Sequence, residues 1–151
     1  MKNTLFHVIS LLAAALLLHA LAVSEIEADE SGKTGGEEYK VLPKPGEKVT
    51  LDSEHYFIYG FDRQPKMGAV IMKVEIFKLD GQQDTSFTVK GDLDMPSMRG
   101  AHSSGEMVFS KSKKGSYLLP ANIAMPGDWE FRFVFEKNEK KVMRGAYLFD
   151  V

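Results

Sequence analysis

Period-two alternation in two long stretches, short β-rich runs parted by turn residues, and no convincing helical period together predict an all-β chain. Val70, Met72, Val74 and Ile76 alternate with Ile71, Lys73, Glu75 and Phe77. Trp129, Phe131, Phe133 and Phe135 alternate with Glu130, Arg132, Val134 and Glu136. A strand sends successive side chains to opposite faces, so each stretch reads as a half-buried strand with one apolar face. Further strands are predicted over Val49–Leu51, His55–Phe61, Ser86–Lys90, Met107–Ser110, Tyr117–Ile123 and Arg144–Val151. Asp80-Gly81, Lys114-Gly115, Pro126-Gly127-Asp128 and Asn138 supply the turn chemistry between them. Seven to eight strands at this spacing predict a single antiparallel β-sandwich of immunoglobulin-like kind, with Trp129 on its core face.

Residues 1–22 have the form of a signal peptide. Lys2 gives a short charged start, Leu5 to Leu21 is an almost unbroken apolar run, and Ala20-Leu21-Ala22 offers small residues for cleavage. The same run approaches the length needed to span a bilayer, so an uncleaved anchor is the alternative, and membrane attachment depends on it. With no cysteine in the chain, a bacterial lipoprotein is excluded, as are disulfides, thiolate metal sites and cysteine catalysis. Residues 23–38 are Glu-, Gly- and Ser-rich without an aromatic side chain, and they read as a flexible linker. Residues 39–151 are enough for one β-sandwich domain with one core.

Charge and composition narrow the function. Without residues 1–22 the chain carries 18 basic and 21 acidic residues, a net charge of −3. That balance speaks against nucleic acid as a partner and against a basic membrane-binding patch. The two histidines outside the signal segment, His55 and His102, form no nucleophile–base–orienter set with the scattered carboxylates, so the chain is expected not to be an enzyme. His55, in Glu54-His55-Tyr56, is expected to face solvent. Asp92, Asp94 and Glu106 are expected to lie in a solvated loop.

The chemistry-bearing stretch is the predicted loop Gly91–Gly105, which contains Asp94-Met95-Pro96-Ser97-Met98-Arg99-Gly100-Ala101-His102. Pro96 fixes its own φ and biases Met95 toward an extended conformation, so a turn through Pro96-Ser97 could bring the sulfurs of Met95 and Met98 to one side. His102 would add a neutral imidazole. Met125, at the first position of a Pro-Gly turn, could face the same loop from the end of the sandwich. Thioethers with an imidazole suit Cu(I) better than Zn(II) or Mg(II), and a compartment that oxidises thiols is where methionine would stand in for cysteine. The competing reading is that these methionines fill gaps against Trp129 and bind nothing. Arg99 stands between the candidate ligands, where it must turn away to be tolerated beside a cation.

The order of motifs from Val70 to Val151 resembles the YtkA-like/FixH-like domain family. The matching residues are Met95-Pro96-Ser97-Met98, Gly100 and His102, then Gly115-Ser116-Tyr117, then Met125-Pro126-Gly127-Asp128-Trp129. The chain departs from the family pattern where Arg99 follows Met98 and the histidine comes later. The resemblance implies an immunoglobulin-like sandwich outside the cytoplasm, periplasmic where there is a periplasm. It also implies copper delivery or assembly around respiratory haem–copper oxidases, with Met95, Met98, His102 and Met125 as the ligand set. The expected partner is an envelope or inner-membrane protein such as an oxidase assembly component. A metal-free protein-interaction module is the alternative.

Overall fold

Among the described residues, alternating apolar residues lay down six long strands, and four two-residue strands complete the edges. The computed structural model describes residues 38–151; the signal peptide predicted over 1–22 and the linker predicted over 23–38, up to residue 37, lie outside the described residues. In order the strands are β1 (Lys40–Val41), β2 (Val49–Thr50), β3 (His55–Phe61), β4 (Gly68–Lys78), β5 (Thr88–Asp94), β6 (Met107–Val108), β7 (Ser110–Lys111), β8 (Tyr117–Ile123), β9 (Asp128–Lys137) and β10 (Lys140–Asp150). A single 3-10 turn, Pro96–Met98, follows β5. The front sheet runs β1-β10-β9-β5-β6 and the back sheet β2-β3-β4-β8-β7.

The core between the sheets is aromatic. Inward residues of β9 (Trp129, Phe131, Phe133 and Phe135) and of β4 (Val70, Met72, Val74 and Ile76) are all essentially buried. Ring pairs join the layers, Phe57 to Phe135 at 4.4 Å and Tyr59 to Phe133 at 5.3 Å between centroids. Two aligned inner faces interdigitating in this way are what a β-sandwich requires.

Four details depart from the sequence-based expectation. The sandwich is not wholly antiparallel, because β1 lies parallel to β10, with Lys40 opposite Gly145 and Val41 opposite Ala146. The stretch Met107–Ser110 is not one strand: β6 joins the front sheet and β7 the back sheet, on either side of the buried Phe109. β10 starts at Lys140, because Asn138 and Glu139 both take left-handed φ values (52° and 63°) and close a tight hairpin. Finally, β5 runs on through Asp94, so the first four residues of the predicted loop are strand. Gly91 allows this: a Cβ there would lie 2.7 Å from both Phe109 and Phe131. A strand glycine of this kind marks a close approach rather than a break.

His55 is a correction. It is buried, not solvent-facing, because the β3 period puts it in phase with Phe57 and Tyr59. Burial is tolerated because both ring nitrogens have carboxylate partners: Nδ1 lies 2.8 Å from Asp52 Oδ1 and Nε2 3.0 Å from Asp84 Oδ2. Lys137 donates to the same Asp84 oxygen at 3.3 Å, tying β9 of one sheet to β3 of the other. Burial pushes the Asp84 carboxyl upward, but hydrogen bonds from Ser86 and then Lys137 outweigh it and hold the group well below the usual carboxylate range.

A carboxyl depressed by folding contributes stability above its unfolded pKa of about 3.9, and that contribution is lost as pH falls through the folded value. Asp84→Asn is therefore expected to lower stability at pH 7, with the gap to the parent narrowing as pH falls from about 5 to about 2. Denaturant unfolding at pH 7 and pH 3 checks this; equal losses at both would refute it.

A methionine-lined end of the sandwich

The end of the sandwich opposite the His55 cluster is where the two Met-Pro segments meet. β9 separates the ends: it opens at Asp128 beside the methionines and closes at Lys137 beside His55, a span of roughly 30 Å for a strand of its length. The site is assembled from the termini of β5, β8 and β9.

Asp94, the last residue of β5, shapes the loop. It is 1% exposed, and its carboxylate accepts the Met95 N–H at 2.8 Å and the Gly100 N–H at 3.0 Å. One side chain thus holds both ends of the segment Met95–Gly100. Within and just past that segment the Met98 N–H donates to the Met95 carbonyl and the Ala101 N–H to the Met98 carbonyl, each at 3.0 Å. Pro96 suits the first position of this 3-10 turn, where no N–H is needed. The returning arm is anchored as well. The Ser104 N–H reaches the Leu93 carbonyl at 2.9 Å, and the Ser103 and Ser104 hydroxyls donate to Asp92.

Asp92 and Asp94 are thus not solvated loop residues, as the sequence reading had them. They stand on the outer face of β5 opposite Arg132 and Glu130 of β9. Arg132 pairs with both aspartates, and Arg99 pairs with Glu130. That pairing answers the objection raised by Arg99: Glu130 alternates with Trp129, so the guanidinium is drawn to the outer face of the front sheet.

The second Met-Pro segment is locked to the first. Asp128 accepts the Ser97 N–H at 3.0 Å and the Ser97 hydroxyl. These bonds, the hydroxyl's foremost, hold the Asp128 carboxyl below its ordinary range. Gly127 has φ +139°, and a Cβ there would come within 2.9 Å of the Met95 methyl, so the turn backbone rests directly on Met95. The Trp129 indole N–H donates to the Met125 carbonyl at 3.0 Å, and the His102 ring lies 6.3 Å from the Trp129 ring.

The four candidate ligands are therefore carried by segments that meet at one end, but they are not equivalent. Met98 and Met125 are 38% and 37% exposed, His102 is half-buried, and Met95 is 2% exposed. The first turn does not present both of its thioethers to solvent alike. Among the described residues, no three His, Asp or Glu side chains group in a way that could hold a metal ion. The soft donors at this end are thioethers and an imidazole, and the carboxylate nearest them, Asp128, is engaged by Ser97.

The sequence reading passed over Met67. It precedes Gly68, whose ladder partner Ile123 lies two residues before Met125, so a further exposed thioether sits on this end. The signal was only its place at the start of the alternating Val70 stretch. Nothing in the sequence shows which strand lies next to β4.

No family model matches the chain, and no curated protein matches it. Among solved structures, the chain is similar to FetP of uropathogenic Escherichia coli as isolated after periplasmic expression. That similarity is 18% identity over 71% of this chain and 93% of the other, with a TM-score of 0.47. A copper-bound variant of FetP gives 17% identity over 70% and 93%, also with a TM-score of 0.47.

Proposed function

We propose that this chain is a non-enzymatic, exported protein that binds Cu(I) at the methionine-lined end and passes it to an envelope or inner-membrane partner. Met98, Met125 and His102 are the solvent-facing ligands, and Met95 is the buried thioether beneath them. The observation that carries the reading is the pair of hydrogen bonds from Ser97 to Asp128, which joins two Met-Pro segments far apart in sequence. A neutral donor set of this softness favours Cu(I) over Zn(II) and Mg(II). Ligands left a third exposed suit a carrier that must release its metal, and the clamp formed by Asp94 spares the loop much of the ordering cost of binding. Assembly of a respiratory oxidase is the kind of process such a carrier would serve.

Residues 39–151 are titrated anaerobically with Cu(I) against bicinchoninate. The expected result is competition at one equivalent that persists in excess Zn(II). Failure to compete would leave the second reading, a metal-free docking module. Val41, 71% exposed beside β10, and Leu148, 51% exposed on β10 itself, favour that reading by giving the front sheet an apolar margin.

A further inference from the structure

We infer that the indole of Trp129 is a wall of the metal site and contacts the bound ion through its π system. This rests on the Cu(I) reading above and adds to it a residue that is not a donor atom. Trp129 opens the inward row of β9, and the three rings that follow it are engaged within the aromatic core. Phe131 packs on Phe133 at 4.8 Å, Phe133 on Phe135 at 6.1 Å, and Phe135 on Phe57 at 4.4 Å. Among the described residues, the aromatic neighbour of Trp129 is instead His102, at 6.3 Å and 59°.

Met125 and His102 reach this side chain directly, and the Met95–Met98 turn reaches the residues just before it in the chain. The carbonyl of Met125 accepts the indole N–H, so the ring edge is tied to the ligand's own backbone. His102 contributes its ring directly. The chain neighbour Asp128 holds Ser97, one residue from Met98, and Gly127 carries the Met95 methyl.

A cation within about 6 Å of an indole centroid is attracted by the ring quadrupole, most strongly where water is excluded. The two ring centroids are 6.3 Å apart, so an ion bound by a His102 nitrogen directed toward Trp129 would fall inside that range. Core packing alone would be met by phenylalanine. The indole adds a hydrogen bond that fixes its orientation and a larger π face.

The test uses the parent protein, in which Trp129 is the single tryptophan, so its emission needs no deconvolution. Cu(I), and separately Ag(I) as a redox-silent probe, are titrated while emission and bicinchoninate competition are followed together. Emission is expected to fall and to level at one equivalent, as contact of the ion with the indole π face predicts. One-to-one competition with unchanged emission would overturn this inference and leave the Cu(I) reading standing. Absence of competition would overturn both. Trp129→Phe is expected to weaken Cu(I) binding by about 10-fold. Because that variant could also lose stability, the emission of the unaltered chain decides the matter.

Discussion

Replacing Met98 and Met125 together with leucine is expected to abolish Cu(I) competition while leaving the fold in place. Loss of a supporting group around a metal already costs 10–100-fold, so loss of two ligands should lower affinity by about 100-fold or more. Stability should hold, because both side chains are more than a third exposed and leucine nearly conserves methionine's volume. The unfolding free energy is expected to change by no more than about 0.5 kcal/mol. Chelator competition and denaturant unfolding on the same preparation check both halves. If affinity survives, the methionines at this end are packing residues and the ligand assignment fails.

Removing the carboxylate of Asp94 is expected to cost stability and metal affinity together. Asp94→Ala strips the acceptor from the Met95 and Gly100 N–H groups and removes one of the two aspartates that neutralise Arg132. Breaking a buried pair by deleting one partner typically costs about 3–5 kcal/mol. Here the remaining pairing of Arg132 with Asp92 should hold the loss near the lower figure. With both of the bonds to Asp94 gone and the Ser97–Asp128 contacts left, the segment 95–100 is expected to become mobile, and Cu(I) affinity should fall even though no donor atom has changed. Amide hydrogen exchange at Met98 and Ala101 reads the loosening directly. Unchanged protection there would show that the Ser97–Asp128 contacts alone suffice to hold the turn.

The long strands were legible because their signal is local. Val70 to Ile76 and Trp129 to Phe135 alternate with the period of a pleated strand, and β3 and β8 fall on the residues predicted for them. The turn at Asp80-Gly81 is also as read, with the Gly81 N–H returning to the Lys78 carbonyl at 2.9 Å. The extension of β5 was not legible. Gly91 reads as a loop residue until the rings of Phe109 and Phe131 are known to press on it from elsewhere in the chain.

Charged and polar residues were misread for a related reason. Whether Asp94 or His55 is buried depends on whether a partner waits across the sheet or across the core. Arg132 and Asp84 stand 38 and 29 residues away from them. A sequence read with period two assigns faces, but it does not say what stands opposite.

By itself, then, the sequence determined the all-β class, the placement of the long strands apart from the extents of β5 and β10, and a donor inventory of methionine and histidine without cysteine. These follow from backbone periodicity and composition, which are properties of neighbouring residues. Only the tertiary structure decided that the Met95 and Met125 turns share one end of the sandwich, that Met95 is buried while Met98 and Met125 stay exposed, and that Arg99 turns away to Glu130. Those facts depend on strand order and register, through which β5 and β9 lie side by side with Asp94 opposite Glu130. Strand pairing is a long-range choice, set by how the whole core packs.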